Sequence, residues 1–130
     1  MKDCIFCKII KKEIPSYLIY EDDEVEAFLD LNPVSYGHTL LIPKRHFKDI
    51  NDIDSKTVAK LNSIVKKLAN LLVEKLNADG ITITQNNGYG QEIKHYHIHL
   101  IPRYENDKIT IKPTKKEIDL EKLKNIIVSK

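Results

Sequence analysis

A chain of 130 residues with 21 basic and 19 acidic side chains, for a formal net charge of +2, has room for one domain with one real core. Its field is too weak to hold nucleic acid non-specifically. With 42% hydrophobic and 31% charged residues, it has no run of the roughly 20 apolar residues that a membrane span needs. The opening Met1 to Cys7 shows neither an apolar leader core nor a small-residue cleavage site, so a cytoplasmic location is expected, with neither nucleic acid nor membrane as a partner.

The chain's two cysteines, Cys4 and Cys7, stand as Cys-x-x-Cys. A redox dithiol is expected after a strand, and nothing before Cys4 supplies one. A disulfide scaffold does not suit a cytosolic chain of this size. That leaves a zinc half-site, which needs two further ligands to close a tetrahedron, or two inert buried thiols. Phe6 to Glu13, apolar at 6, 9 and 10, predicts a short helix stopped before Pro15. Tyr17 to Tyr20 and Val25 to Leu29 predict two strands joined by the polar turn Glu21 to Glu24. Asp30 ends the second strand, where an Asx-type turn introducing Leu31-Asn32-Pro33 is one common use of the residue. After the loop Asn32 to Gly37, the nearly all-aliphatic Thr39 to Ile42 suits a central strand covered on both faces. His38 stands at its entrance.

Asp54 through Asn77 carries one long helix, with Val58, Leu61, Val65, Leu68, Leu72 and Leu76 at three- and four-residue spacing. Asp54 is the expected N-cap and Asp79-Gly80 the expected close. Ile64, Leu71 and Val73 make the apolar stripe wider than one sheet contact needs, which points to a partner subunit as well. Ile81 to Gln85 alternates as a strand, Asn86 to Gly90 turns, and Glu92 to Arg103 returns antiparallel to it. The turn thereby delivers Asn86, Gly90 and Gln91 toward a run of three histidines. Beyond Tyr104, Ile109-Thr110-Ile111 is a short strand by pattern, and Ile118, Leu120, Leu123, Ile126 and Ile127 mark a C-terminal helix.

That run, His95-Tyr96-His97-Ile98-His99-Leu100-Ile101-Pro102, alternates strictly and predicts a half-buried strand with its three imidazoles on one face. Three of the chain's five histidines fall in this window. The row they make can engage one phosphate or one metal-sized object. A neutral imidazole is also a competent nucleophile, and the middle position suits that role.

The run resembles the signature of the histidine-triad (HIT) family, in which three histidines alternate with apolar residues. Asn86-Asn87-Gly88-Tyr89-Gly90-Gln91 is similar to the family's Gly-Gln loop, and Phe28-Leu29-Asp30 and Gly37-His38 through Lys44-Arg45-His46 match its upstream motifs. The loop is shorter than the usual one by a couple of residues, and Glu92 and Lys94 stand where small or apolar residues are often found. The resemblance runs from Cys4 to about Tyr104. It implies an α+β fold: a single HIT-like domain over 1–104, with an antiparallel sheet of about five strands, one long helix and short terminal helices. Residues 105–130 would form a C-terminal extension packing on the same domain.

The resemblance further implies a nucleotide hydrolase or nucleotidyl transferase acting at the α-phosphate of a purine nucleotide conjugate. The conjugate would be a phosphoramidate, a dinucleoside polyphosphate or an adenylate. His97 would attack to give a nucleotidyl-histidine, with His99, His38 and Gln91 assisting. Asp30, Leu31, Asn86, Gly90 and Gln91 would bind the nucleotide together with His97 and His99. One structural zinc per chain would sit on Cys4, Cys7, His46 and His95, and the long helix would pair two chains as a homodimer. The alternative from another class is a nucleotide-binding sensor or adaptor with little catalysis.

Overall fold

A computed structural model of the chain describes residues 3–110 and 113–130. Eight elements follow in chain order: α1 (Ile5–Ile10), β1 (Leu18–Glu21), β2 (Val25–Leu29), β3 (Thr39–Pro43), α2 (Ser55–Leu76), β4 (Gly80–Thr84), β5 (Ile98–Arg103) and α3 (Leu120–Val128). The five strands form one fully antiparallel sheet in the order β1-β2-β3-β5-β4. This is the expected α+β architecture, with three helices of which one is long.

Strand alternation divides the core in two. Val25, Ala27, Leu41, Ile98 and Leu100 face α2 and meet Leu61, Ile64, Val65, Leu68 and Leu72. Phe28, Leu40 and Ile42 face the other way and meet Phe6 and Ile9 of α1. The central strand β3 is buried along its whole length, as its aliphatic run predicts. Ile64, expected as part of a spare apolar stripe, belongs to the core instead. Of that stripe Leu71 remains 39% exposed.

The expected boundaries shift in several places, each with a local cause. The triad strand begins at Ile98 rather than before His95. Pro43 ends β3, its carbonyl is taken by the His95 ring at 2.8 Å, and Tyr96 N–H donates to the Phe47 carbonyl, so no strand ladder continues there. α2 closes on Asn77 in the left-handed conformation at φ 52°, not on Asp79-Gly80, because Gly80 already starts β4. α1 stops early, since Lys12 turns to φ 64°. Ile109 and Thr110 form no strand, while Ile111 lies outside the described residues.

The extension departs most. Residues to Ile109 are tied down, because the Arg103 guanidinium donates to Asp107 at 2.6 Å and to the Ile109 carbonyl at 2.8 Å. In α3 none of the residues is buried, and Leu120 and Ile127 are both more than 70% exposed.

Glu26 is the other surprise. Its neighbours on β2 are apolar and it is 0% exposed, yet neither carboxylate oxygen meets a hydrogen-bond donor among the described residues. Lys12 and Lys44 both turn to Glu21, its cross-strand partner, at 3.5 and 2.7 Å.

Candidate functional site

Folding brings Cys4, Cys7, His46 and His95 together from three places in the chain, with one ligand atom of each lying within 4.8 Å of the others. Cys4 is the N-cap of α1, its sulfur accepting from the Cys7 N–H at 3.3 Å, so one turn holds both sulfurs. His95 Nδ1 lies 3.4 Å from Cys4 Sγ, 3.6 Å from Cys7 Sγ and 3.2 Å from His46 Nδ1, and Cys7 Sγ lies 3.3 Å from His46 Nδ1. Metal–ligand lengths of about 2.3 Å to sulfur and about 2.0–2.1 Å to nitrogen, at tetrahedral angles, put S···N near ~3.5 Å and N···N near ~3.3 Å. The group has those dimensions. His95 Nε2–H donates to the Pro43 carbonyl, which turns the Nδ1 lone pair toward the group, as metal-ligating histidines are usually held. Burial, then the hydrogen bond and charge of Cys4, push the Cys7 thiol up to about 11. Its proton therefore stays on unless a cation replaces it. These four residues could hold a metal ion.

On the same face of the sheet lies an open cavity of about 500 Å³. Its floor holds a connected set of histidines whose tautomers follow from their partners. Val34 N–H donates to His38 Nδ1 at 3.1 Å, so the His38 proton sits on Nε2. That Nε2–H donates to His99 Nδ1 at 3.0 Å, which leaves His99 with an N–H at Nε2. His97 is fixed in the opposite sense. Its Nδ1–H donates to the His95 carbonyl at 2.7 Å, so Nε2 carries a lone pair. His97 and His99 lie with ring centroids 5.0 Å apart, and the edge of Phe6 packs on His97 at 5.1 Å. The site thus pairs one nucleophilic nitrogen with one fixed donor.

All these rings are held neutral. Burial, followed by the neighbouring His97 and His38, takes His99 down to about 4. Burial lowers His38 against the opposing pull of Asp30, and lowers His97 against the His95 carbonyl, Asp30 and Glu92. Burial takes His95 down to about 4. Asp30, His38 and His99 also offer three close ligand atoms, but this group suits hydrogen bonding better than a metal. Ligation through His38 Nε2 would move its proton to Nδ1, against the Val34 N–H.

Asp30 forms the Asx turn and also reaches the cavity. Oδ1 accepts from Asn32 N–H at 2.8 Å as an Asx turn, while Oδ2 lies 3.6 Å from His38 Nε2 at the cavity wall. Leu31 lines the rim, 67% exposed, and Asn86 and Gly90 line the loop side. Gly90 has φ 87°, a conformation that side-chain-bearing residues seldom adopt. Gln91 differs from expectation. Its Nε2 donates to the Lys48 carbonyl at 2.7 Å and its Oε1 accepts from Gly88 N–H at 3.1 Å, so the amide braces the loop and does not line the cavity.

Sequence reasoning missed Phe6, Phe28 and Leu40 in the cavity wall, and Glu92 at its loop side. Phe28 was recoverable, since it shares a strand face with Asp30 two residues on. Phe6 was not, because nothing in Cys-x-x-Cys says what its middle residues cover. Gly37, beside His38, has φ 96°, and a Cβ there would run into Leu76 Cδ1.

A model of the HIT domain matches residues 11–106. An uncharacterized HIT-like protein of Borreliella burgdorferi is 46% identical over 97% of this chain and 94% of its own length. An adenosine 5′-monophosphoramidase of Saccharomyces cerevisiae is 41% identical over 92% of this chain and 75% of its own. The crystal structure of a zinc-bound histidine triad family protein from Mycobacterium smegmatis superposes with a TM-score of 0.80 at 36% identity, covering 88% of this chain and 85% of that one.

Proposed function

The chain belongs to the HIT family, and from that premise we propose that it is a hydrolase of purine nucleotide conjugates acting at the α-phosphorus through a nucleotidyl-histidine. The observation that carries the reading is the tautomer of His97: the His95 carbonyl takes its only proton, and the remaining lone pair belongs to a ring that lines the cavity. The phosphoramidase activity named for the yeast relative supports the same reaction class.

The phosphate rests on the donor set. His99 Nε2–H, supported through His38 and Val34 N–H, stabilises charge on the non-bridging oxygens. Asn86 adds a donor from the loop. The apolar wall of Phe28, Leu40 and Ile9 takes the base, and Asp30 accepts from the ribose hydroxyls. In the first half-reaction the His97 Nε2 lone pair forms the N–P bond as the bond to the leaving group breaks. The leaving atom keeps the bonding pair and takes a proton from solvent. Water then attacks phosphorus, the N–P pair returns to Nε2, and the water's surplus proton is released.

Cys4, Cys7, His46 and His95 would hold zinc, which with four protein ligands has no open position and serves structure alone. Fixing His95 also fixes the carbonyl that orients His97. A homodimer, formed across the exposed Leu71 of α2 and Ile83 of the edge strand β4, is part of the same reading, and sedimentation at micromolar concentration tests it. The reaction is tested with a panel of adenosine and guanosine phosphoramidates and dinucleoside polyphosphates. Hydrolysis of at least one, with a nucleotidyl-protein trapped by acid-free denaturation, is the expected result.

A further inference from the structure

Glu92, on the loop segment just after Gln91, lines the cavity. Among the described residues lining that cavity only Asp30 and Glu92 carry charge; no lysine or arginine is there. The nearby Lys94 is occupied elsewhere, its Nζ donating to the Gly88 and Gln91 carbonyls at 3.2 and 2.9 Å. His38 and His99 each accept a hydrogen bond at Nδ1 and so carry no charge. A ligand therefore meets two carboxylates and uncharged donors, which can hold one phosphate but offer no countercharge to a second. Sites for phosphate chains ordinarily use lysine, arginine or a bound cation.

The two carboxylates come from different parts of the wall. Asp30 closes β2 beside Leu31, on the wall where the ribose sits in the reading above. Glu92 belongs to the loop segment that leads into His97, and its charge is felt at that ring. It is exposed rather than buried, so a group that the phosphate carries out of the cavity toward solvent can meet it.

We propose that Glu92 is a specificity-determining residue that selects nucleotide conjugates by the charge of the leaving group, favouring an amine that bears a positive charge and disfavouring a leaving group that bears a negative one. This rests on the function proposed above. An exposed carboxylate interacts weakly, so each unit step in leaving-group charge changes kcat/KM by only a few-fold, about tenfold from end to end. The effect fades with salt, because exposed charges are screened within about 3 Å at about 1 M.

Three adenosine 5′-phosphoramidates test it. Each has the same P–N bond and the same chain length, with the amine ending in an ammonium, a methyl or a carboxylate. The wild-type protein should rank them in that order by kcat/KM at low ionic strength, with the spread closing at high salt. Glu92→Gln should bring the three within about twofold of each other, and Glu92→Lys should reverse the order. An unchanged order in both variants overturns the proposal. Calorimetry of the three compounds on His97→Ala keeps the test apart from the reaction itself. If wild-type protein hydrolyses neither these nor any compound of the wider panel, the proposed function fails, yet an affinity order that Glu92→Gln abolishes in that background still upholds the selection. Equal affinities there overturn it.

Discussion

The ring of His97 donates from Nδ1 to the backbone carbonyl of His95 at 2.7 Å, and His95 itself reaches Cys4, Cys7 and His46 with its own Nδ1. One residue therefore joins the group that could hold a metal to the lone-pair nitrogen of His97. Its side chain belongs to the first and its main chain orients the second.

Removing the metal should act at both ends of that link. Purified protein should contain about one zinc per chain, and Cys4→Ser should lose metal and thermal stability together, because metal binding free energy is folding free energy. Turnover should fall as well, since the His95 carbonyl loses its anchor. Metal-free protein with unchanged melting and activity would show that the four residues serve packing alone.

Glu26 gives a pH prediction for stability. Burial raises its pKa above the ordinary 4.5, with Glu21 pushing the same way and Lys12 and Lys44 opposing. The folded state therefore holds this proton more tightly than the unfolded one, so its contribution to stability falls as pH rises from about 4.5 through the raised value. Glu26→Leu removes both the charge and two unpartnered oxygens. It should stabilise the protein at neutral pH by on the order of 1–3 kcal/mol, with the advantage shrinking toward pH 4. Thermal melts across that range read it directly, and a variant destabilised at pH 7 would mean that Glu26 has a partner in the folded protein.

Asp30→Ala should raise KM for ribonucleotide substrates far more than it lowers kcat. The effect should be small for analogues lacking the ribose hydroxyls, because a carboxylate offers a diol only acceptors. Equal losses on both classes would assign Asp30 to the His38 charge balance or to the Asn32 turn instead.

Gly37→Ala tests how the entrance to β3 is held. Its φ of 96° and the collision of a new Cβ with Leu76 should destabilise the fold by roughly 1–3 kcal/mol and shift His38, lowering activity beyond the loss of folded protein. Circular dichroism melts compared with specific activity separate the two effects.

How far the chain could be read from its letters varies with the physics involved. Strand alternation and helical spacing are local, so Val25–Leu29 was legible to the residue and α2 with its Asp54 cap nearly so. The four-residue metal group was legible only through resemblance, since His46 and His95 meet Cys4 and Cys7 by tertiary folding. What stayed hidden is non-local. The triad strand starts late because the His95 ring takes the Pro43 carbonyl. The tautomers of His38, His97 and His99 depend on backbone partners that spacing does not reveal. Gln91 turns away because Lys48, far off in sequence, offers its carbonyl. Burial of Glu26 contradicts every sequence expectation for a glutamate.

In the proposed reaction His97 forms the covalent intermediate while His99 and His38 only stabilise charge. Hydrolysis of the best substrate by wild-type, His97→Ala and His99→Ala, with mass analysis of rapidly denatured protein, tests it most directly. The wild-type protein should show one nucleotidyl group on His97. His99→Ala should lose about 10²–10³ in rate and keep the adduct, while His97→Ala should lose several orders of magnitude and show no adduct, yet still bind the nucleoside monophosphate. Near wild-type hydrolysis by His97→Ala, or an adduct on any other residue, would contradict the account.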